Sequence, residues 1–444
     1  MERSVSPRDS QQFFELFMQS QYWPRDRLAE LQRENLATLL RHARKFVPFY
    51  DGRLDPLFTG SDAIDWDRWP QIPIMRRADL LTQSEQMRAL ALPGYHGKIY
   101  YEKTSGSTGE ALTIAKTGYT NMAMTGAMYR AHVWHNFDWS KNFAMRSGGS
   151  GHPTHNVKDQ LARRRHWGPP WMPQARGVGL HFETTVGTQE MLRLVQAHDI
   201  RYLGARPARA QALAIEAQQL GIDVQLDAVW AFGTATSREA REDCMAAFGA
   251  KIVSLYSSKE GQFMAVQCPS GTHFHVNDET TLVEIVDEDG RRCAPGELGR
   301  VVVTPLFNFA QPIIRYDQGD LAVAGAACAC GRPHTVIERI VGRATHLFVL
   351  PDGRRFLPNI PLDIGERVGA RFWQIAQTGP LSIEFRYVAA AEHTANAALA
   401  ISGIIRAGTD AAVTVEVRRM DDLPRTESGK YIDYVNEYAP ARPD

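Results

Sequence analysis

Lys103-Thr-Ser-Gly-Ser-Thr-Gly-Glu-Ala-Leu112 packs two glycines and four hydroxyl side chains into the six residues from Thr104 to Gly109. Lacking a Cβ, glycine lets backbone N–H groups turn toward an anion, and Ser and Thr hydroxyls add donors without adding charge. Such a loop suits a phosphate. It lacks the Gly-Lys-Ser/Thr ending of a Walker loop and the GxGxxG of a dinucleotide fold, so taken alone an ordinary surface turn is the better reading. Its context argues otherwise, because Lys98-Ile-Tyr-Tyr-Glu-Lys103 reads as a short strand that delivers the chain to it.

Upstream, apolar residues recur at helical spacing from Arg27 to Lys45, and Pro48 ends that helix. Downstream the chain alternates: strand Ile200 to Leu203, helix Arg209 to Leu220, strand Ala228 to Phe232, helix Arg238 to Phe248, strand Ile252 to Tyr256. Alternation of this kind predicts a parallel sheet with helices on its faces, and ligands in such sheets sit beyond the carboxyl ends of the strands. Two short loops emerge there, Gly233-Thr-Ala-Thr236 and Ser257-Ser-Lys-Glu260. Strand-rich segments from Thr281 to Asp287 and Gly299 to Pro305 follow. After Arg343 the pattern changes to a small α+β domain: a hairpin at Pro351-Asp-Gly353, a helix around Ile364 to Ala376, a strand Leu381 to Val388, a helix Thr394 to Ala407 and a strand Ala412 to Val417. The run Ser147-Gly-Gly-Ser-Gly-His152 reads as a loop. The expected class is α/β, with a large multi-sheet N-terminal domain over residues 1–342 and a small mobile α+β domain over 343–444.

Fifty basic residues balance fifty acidic ones, which gives no case for nucleic acid or an anionic membrane as a partner. Arg163-Arg164-Arg165 reads as a solvated loop. Without a long apolar run or an apolar leader, no membrane segment and no secretory signal is expected. Five cysteines make a poor disulfide framework for 444 residues, so a reducing cytoplasm is the expected compartment. Cys328-Ala-Cys330 nevertheless sets two thiols one residue apart, and Cys268 lies upstream with His273 and His275. Three thiols and an imidazole make a structural zinc set, with unpaired buried cysteines as the alternative. His275 is preferred because it directly precedes strand-like Val276 to Glu279, although His273 stays open.

Five stretches in fixed order then carry a resemblance: Thr104 to Gly109, Tyr256-Ser-Ser-Lys-Glu260, Arg315-Tyr-Asp-Gln-Gly-Asp320, Gly342-Arg343 and Pro424-Arg-Thr-Glu-Ser-Gly-Lys430. Together they resemble the adenylate-forming ligase superfamily, most closely its phenylacetate-CoA ligase-like branch. Val47-Pro-Phe-Tyr50 and Ile72-Pro-Ile-Met75 are similar to that branch as well. The resemblance implies that a carboxylic acid, aromatic or similarly compact, attacks ATP to give an acyl-adenylate, and that the thiol of CoA then takes the acyl group. A carrier-protein thiol or an amine is the alternative acceptor, a non-catalytic ligand-binding homologue a further alternative, and a homodimer the assembly considered.

By the same resemblance, Thr104, Ser105, Gly106, Ser107, Thr108 and Gly109 would cradle the β- and γ-phosphates, and Glu260 would hold Mg²⁺. Gly233 and Tyr256 would flank the adenine, with Ser257 in the same nucleotide set, and Asp320 would accept from both ribose hydroxyls. Lys430 would bridge the attacking carboxylate and the α-phosphate, and Arg343 would mark a hinge that swings Lys430 away before thiol transfer. Some members of this branch carry a structural Zn²⁺ on matching cysteines, which favours Cys268, His275, Cys328 and Cys330 as a ligand set. Four departures stand out: Ala111 where proline is usual, Lys259 where Thr or Ser usually precedes the acidic residue, Thr345 at the usual hinge aspartate, and Leu350-Pro-Asp-Gly-Arg-Arg355 in place of a glycine-rich turn near the hinge.

Overall fold

The computed structural model describes residues 9–60, 62–104, 111–146, 161–164, 166–183, 186–343, 347–356, 358, 360, 364–370, 372–424 and 434–438. The chain divides into two compact units, Met1–Val341 and Gly342–Asp444.

The large unit is built on one twelve-stranded sheet. Its parallel half runs through Gly179–Phe182, Asn142–Arg146, Ile200–Ala205, Ala228–Ala231 and Lys251–Ser258. The alternation of strands and helices predicted this half. Helix Pro207–Leu220 opens on Pro207 and closes on Gly221 at φ 64, and helix Arg238–Phe248 opens on a Ser237 cap and closes on Gly249 at φ 66. Proline at a helix start and glycine just past its end are the favoured terminators. Leu213, Ala214, Cys244 and Phe248 from these helices pack on Leu203, Val229 and Ile252 of the strands.

After Lys251–Ser258 the chain turns back at Glu260, and the sheet continues antiparallel through Gln262–Gln267, Phe274–Val276, Val336–Arg343, Tyr316–Ala324, Leu298–Pro305 and Thr281–Val286. A separate two-stranded hairpin, Ile99–Lys103 with Thr113–Thr117, brackets the Gly/Ser/Thr loop. Helix Arg25–Phe46 buries Leu28, Leu36, Leu39 and Leu40, one face of the predicted amphipathic pattern. Arg163 and Arg164 correct an expectation. They sit in the strand Leu161–Arg164, paired with Gly179–Phe182, because an edge strand needs only one hydrogen-bonded neighbour and tolerates charge. Residues 147–152 and Arg165 lie outside the described residues. No described helix is long and apolar enough to cross a membrane.

The small unit carries a four-stranded sheet in the order Thr414–Arg419, Ser382–Val388, Phe372–Gly379, Tyr434–Asn436, backed by helix Ala395–Gly408 through buried Ile401 and Ile405. The helix expected around Ile364 to Ala376 is instead a 3-10 turn, Ile364–Val368, followed by the strand Phe372–Gly379. Gly369 at φ 60 ends the turn. Residues 373 to 377 are buried on both faces of the central strand, so no two-residue alternation marked it in the sequence. Arg386 ties this sheet together, bonding Glu437 through both carboxylate oxygens at 2.6 and 2.9 Å and Gln374 at 3.2 Å, while Gln374 reaches the Pro424 carbonyl at 3.5 Å.

Candidate functional site

The Gly/Ser/Thr loop springs from a closed base. Thr104 N–H donates to the Leu112 carbonyl at 2.9 Å, and Leu112 N–H donates to Thr104 Oγ1 at 2.9 Å. Thr104 therefore accepts a backbone bond at the foot of the loop, and a hydroxyl that accepts in this way can also donate its proton to an anion. Ser105, Gly106, Ser107, Thr108 and Gly109 lie outside the described residues, as do Thr345 and Lys430.

The carboxyl ends of the parallel strands supply the next groups. Gly233, just beyond Ala228–Ala231, has φ 86, which an L side chain would resist. Tyr256 lies near the end of Lys251–Ser258, beside a register shift between Tyr256 and Ser257. Its phenol donates to Asp320 Oδ2 at 2.8 Å, so two residues drawn from separate sequence motifs meet. Ser257 is exposed.

Asp320 is aimed by the segment before it. Arg315, at φ 50 and 2% exposed, spreads its guanidinium over the carbonyls of Ile72 at 2.6 Å and Pro70 at 3.0 Å, and its own carbonyl accepts Met75 N–H at 2.8 Å. Glu284 lies 3.4 Å from Arg315 Nε. A non-glycine residue in the left-handed region persists only where neighbours over-determine it, and these contacts do so. The Ile72-Pro-Ile-Met75 stretch is thus the anchor of the strand that bears Asp320.

Glu260, at the turn after Lys251–Ser258, is 8% exposed and lies 3.8 Å from Arg77 Nη1. That pair is long, and a carboxylate offers about four acceptor sites, so Glu260 retains capacity for a hard cation. Lys259 pairs with Glu102 at 3.1 Å, and Lys116 reaches the same carboxylate at 2.9 Å. Burial alone would raise Glu102, but Lys116 and Lys259 hold it below the ordinary carboxylate range. Burial lowers Lys116 from its usual value, with Glu102 opposing that shift. Sequence reading missed Arg77, Glu102 and Lys116. The available signal was strand alternation, which sets Glu102 and Lys116 on one face of the hairpin.

A second cluster sits on the antiparallel half. Cys268, His275, Cys328 and Cys330 bring their donor atoms within 4.8 Å of one another. Cys268 Sγ is 3.9 Å from Cys328 Sγ, and Cys330 Sγ is 3.2 Å from His275 Nε2. His273 Nε2 also approaches Cys328, at 3.0 Å, but stands outside the converging four. Cys244 is buried in its helix, and Cys293 packs near the Leu298 carbonyl. Behind the cluster, Trp134 meets the rings of His275 and His334 edge-on and lies under the guanidiniums of Arg130 and Arg332. Arg130 in turn pairs with buried Glu279 and bonds Asn277 at 2.7 Å. Arg343 ends the strand Val336–Arg343 at the division between the two units.

No family profile matches the chain. In sequence it is similar to a phenylacetate-coenzyme A ligase of Thermus thermophilus, at 26% identity over 354 residues, covering 74% of this chain and 73% of that protein. In structure it is similar to 2-hydroxyisobutyryl-CoA ligase in the postadenylation state in complex with R3-HIB-AMP, at TM-score 0.67 and 16% identity over 100% of this chain and 94% of that one. The fold is that of the adenylate-forming ligases. An amide bond synthetase from Marinactinospora thermotolerans shares it over 74% of this chain and 66% of its own, at TM-score 0.53 and 14% identity. Sequence similarity runs to the phenylacetate-CoA ligase-like branch.

Proposed function

We propose that the chain is an ATP-dependent acid–CoA ligase acting on an aromatic or similarly compact carboxylic acid. The observation that carries this reading is the contact between Tyr256 and Asp320, which joins two motifs of the adenylate-forming pattern. The acid's carboxylate oxygen attacks the α-phosphorus of ATP, the bond to the pyrophosphate oxygen breaks, and an acyl-adenylate remains. A thiolate then attacks the acyl carbon and AMP leaves. Phosphoryl displacement needs positioning and charge neutralisation more than covalent help, which suits a site built from hydroxyls, backbone amides and a few charges.

In this reading Thr104 and the loop after it hold the terminal phosphates, Asp320 accepts from the ribose hydroxyls, and Tyr256 orients Asp320. Gly233 gives the adenine a backbone surface without a side chain. Glu260 would hold Mg²⁺, which supplies positive charge to the phosphate oxygens. Lys430 acts in the adenylating half, and Arg343 lies at the hinge between the halves. Cys268, His275, Cys328 and Cys330 fit a tetrahedral structural Zn²⁺ in residue type, number and convergence.

Pyrophosphate exchange into ATP across a panel of carboxylic acids tests the reading. Exchange with at least one compact acid is expected, and silence across a broad panel would leave only a ligand-binding role. Supplying CoA, a carrier protein or an amine in turn identifies the acceptor.

A further inference from the structure

Glu102 joins two hairpins. It stands two residues before Thr104 on the strand Ile99–Lys103, and its Oε2 receives both Lys116 from the paired strand and Lys259 from the turn between Lys251–Ser258 and Gln262–Gln267. The two lysines are unlike. Lys116 has a side chain only 5% exposed, and a buried ammonium deprived of its carboxylate would stand uncompensated in a poorly solvated place. Glu102 is therefore committed to Lys116. Lys259 has a side chain 51% exposed, so water and salt already weaken its hold on Glu102 and its release costs little.

Arg77, Lys116 and Lys259 pair with Glu102 and Glu260, and of the three cations Lys259 is the most exposed. Lys103 points to the opposite, exposed face of its strand. The stretch from Thr104 to Gly109, into which that strand leads, suits phosphate in composition and carries no cation of its own. Thr104 lies two residues beyond Glu102, roughly 7 Å along the chain, within the swing of a four-carbon side chain ending in a mobile point charge.

We propose that Lys259 is a phosphate-binding residue of this chain, whose ammonium leaves Glu102 for a terminal phosphate oxygen of ATP or of pyrophosphate while Lys116 keeps the carboxylate. This rests on the ATP reading above. It gives the departure at Lys259 a role: the cation that a Walker loop carries within itself comes here from a neighbouring turn. The exchange moves no covalent bond and leaves Glu260 to the metal.

The test uses the full chain, with Lys259→Met and Lys259→Arg, and reads binding of ATP and of inorganic pyrophosphate by calorimetry at two salt concentrations. Lys259→Met is expected to weaken both ligands about tenfold, the size of one charge-assisted hydrogen bond, and to flatten the salt dependence. Lys259→Arg should restore binding to within about threefold of the parent, since the charge is kept. Transfer from a pre-made adenylate to CoA should be unchanged in both variants, because neither ATP nor free pyrophosphate takes part in that step. A parent chain that binds ATP and pyrophosphate alongside a Lys259→Met variant that binds them equally well overturns this inference alone. A parent chain that binds neither overturns the nucleotide reading and this inference with it.

Discussion

The Cys/His cluster and the proposed nucleotide end both draw on the twelve-stranded sheet, yet they are organised in opposite ways. Cys268, His275, Cys328 and Cys330 turn their donor atoms toward one another within 4.8 Å, a set that closes on a single point. At the nucleotide end each carboxylate already has a protein partner: Glu102 has two lysines, Glu260 has Arg77, and Asp320 has Tyr256. A converging set of thiols and imidazole would suit a resident cation and rigidity. A set of loosely held ion pairs can change partners as a charged substrate arrives and leaves, because exposed or long pairs cost little to open. The small unit adds the contrast of scale, since its Arg386 clamp is bidentate to Glu437 and further bonded to Gln374, an arrangement made to stay closed.

The largest expected effect tests whether the nucleotide end depends on the small unit. Lys430→Ala should slow adenylate formation by about 100-fold or more, the loss typical of removing one group aimed at developing transition-state charge. Release of a pre-made adenylate to CoA should survive. Equal loss of both half-reactions would mean that Lys430 serves the fold or both steps, and the division of labour between the two units would fail.

The next effect tests the closed set. Metal analysis should find one zinc per chain, lost in Cys330→Ser and in Cys328→Ser and retained in Cys244→Ser. A structural zinc contributes folding energy directly, so the first two variants should melt roughly 5–10 °C below the parent, the shift expected for a loss of a few kcal/mol in a domain of this kind. Trp134, packed edge-on against His275, offers a fluorescence signal for the same loss. Full zinc content in Cys330→Ser would break the comparison, because the convergence would then be that of packed thiols only.

The difference between the regions also explains what was legible in the sequence. Cys-x-Cys with a distant Cys and His narrows the chemistry by residue type, and what separates His275 from His273 in the structure is a tertiary fact, the convergence of donor atoms that takes in His275. The parallel half was legible from Ile200 to Ser258 because each helix carries its own caps and each strand a short apolar run. The strand Phe372–Gly379 was not, because burial on both faces erases the two-residue period. At the proposed nucleotide end, Asp320 and Glu260 were singled out by their motifs, while Glu102, Lys116 and Arg77 were not. Those three belong to no motif, and what defines them is the meeting of a hairpin, a turn and a short helix that lie far apart in the chain. Arg315 reads as part of the Asp320 motif, but its role as the anchor over the Ile72 and Pro70 carbonyls is a tertiary fact.

The smallest expected effect asks whether Tyr256 acts through Asp320. Asp320→Asn replaces an acceptor-only carboxylate with a group that donates on one side, and should raise the KM for ATP about 10- to 100-fold if Asp320 grips the ribose. Tyr256→Phe removes only the 2.8 Å donor to Asp320 Oδ2 and should raise it about fivefold, the worth of one ordinary hydrogen bond. The magnitudes alone do not separate positioning from general loosening of the site, but the choice between ATP and 2′-deoxy-ATP does. The parent chain should favour ATP, Asp320→Asn should favour it little, and Tyr256→Phe should fall between them, because a carboxylate without its phenol still accepts but is less firmly aimed. If Tyr256→Phe keeps the parent's full preference while losing affinity for both nucleotides, Tyr256 contributes to the adenine surface and not to the ribose contact. The two motifs would then meet for the stability of the strand Tyr316–Ala324, and Asp320 alone would read the sugar.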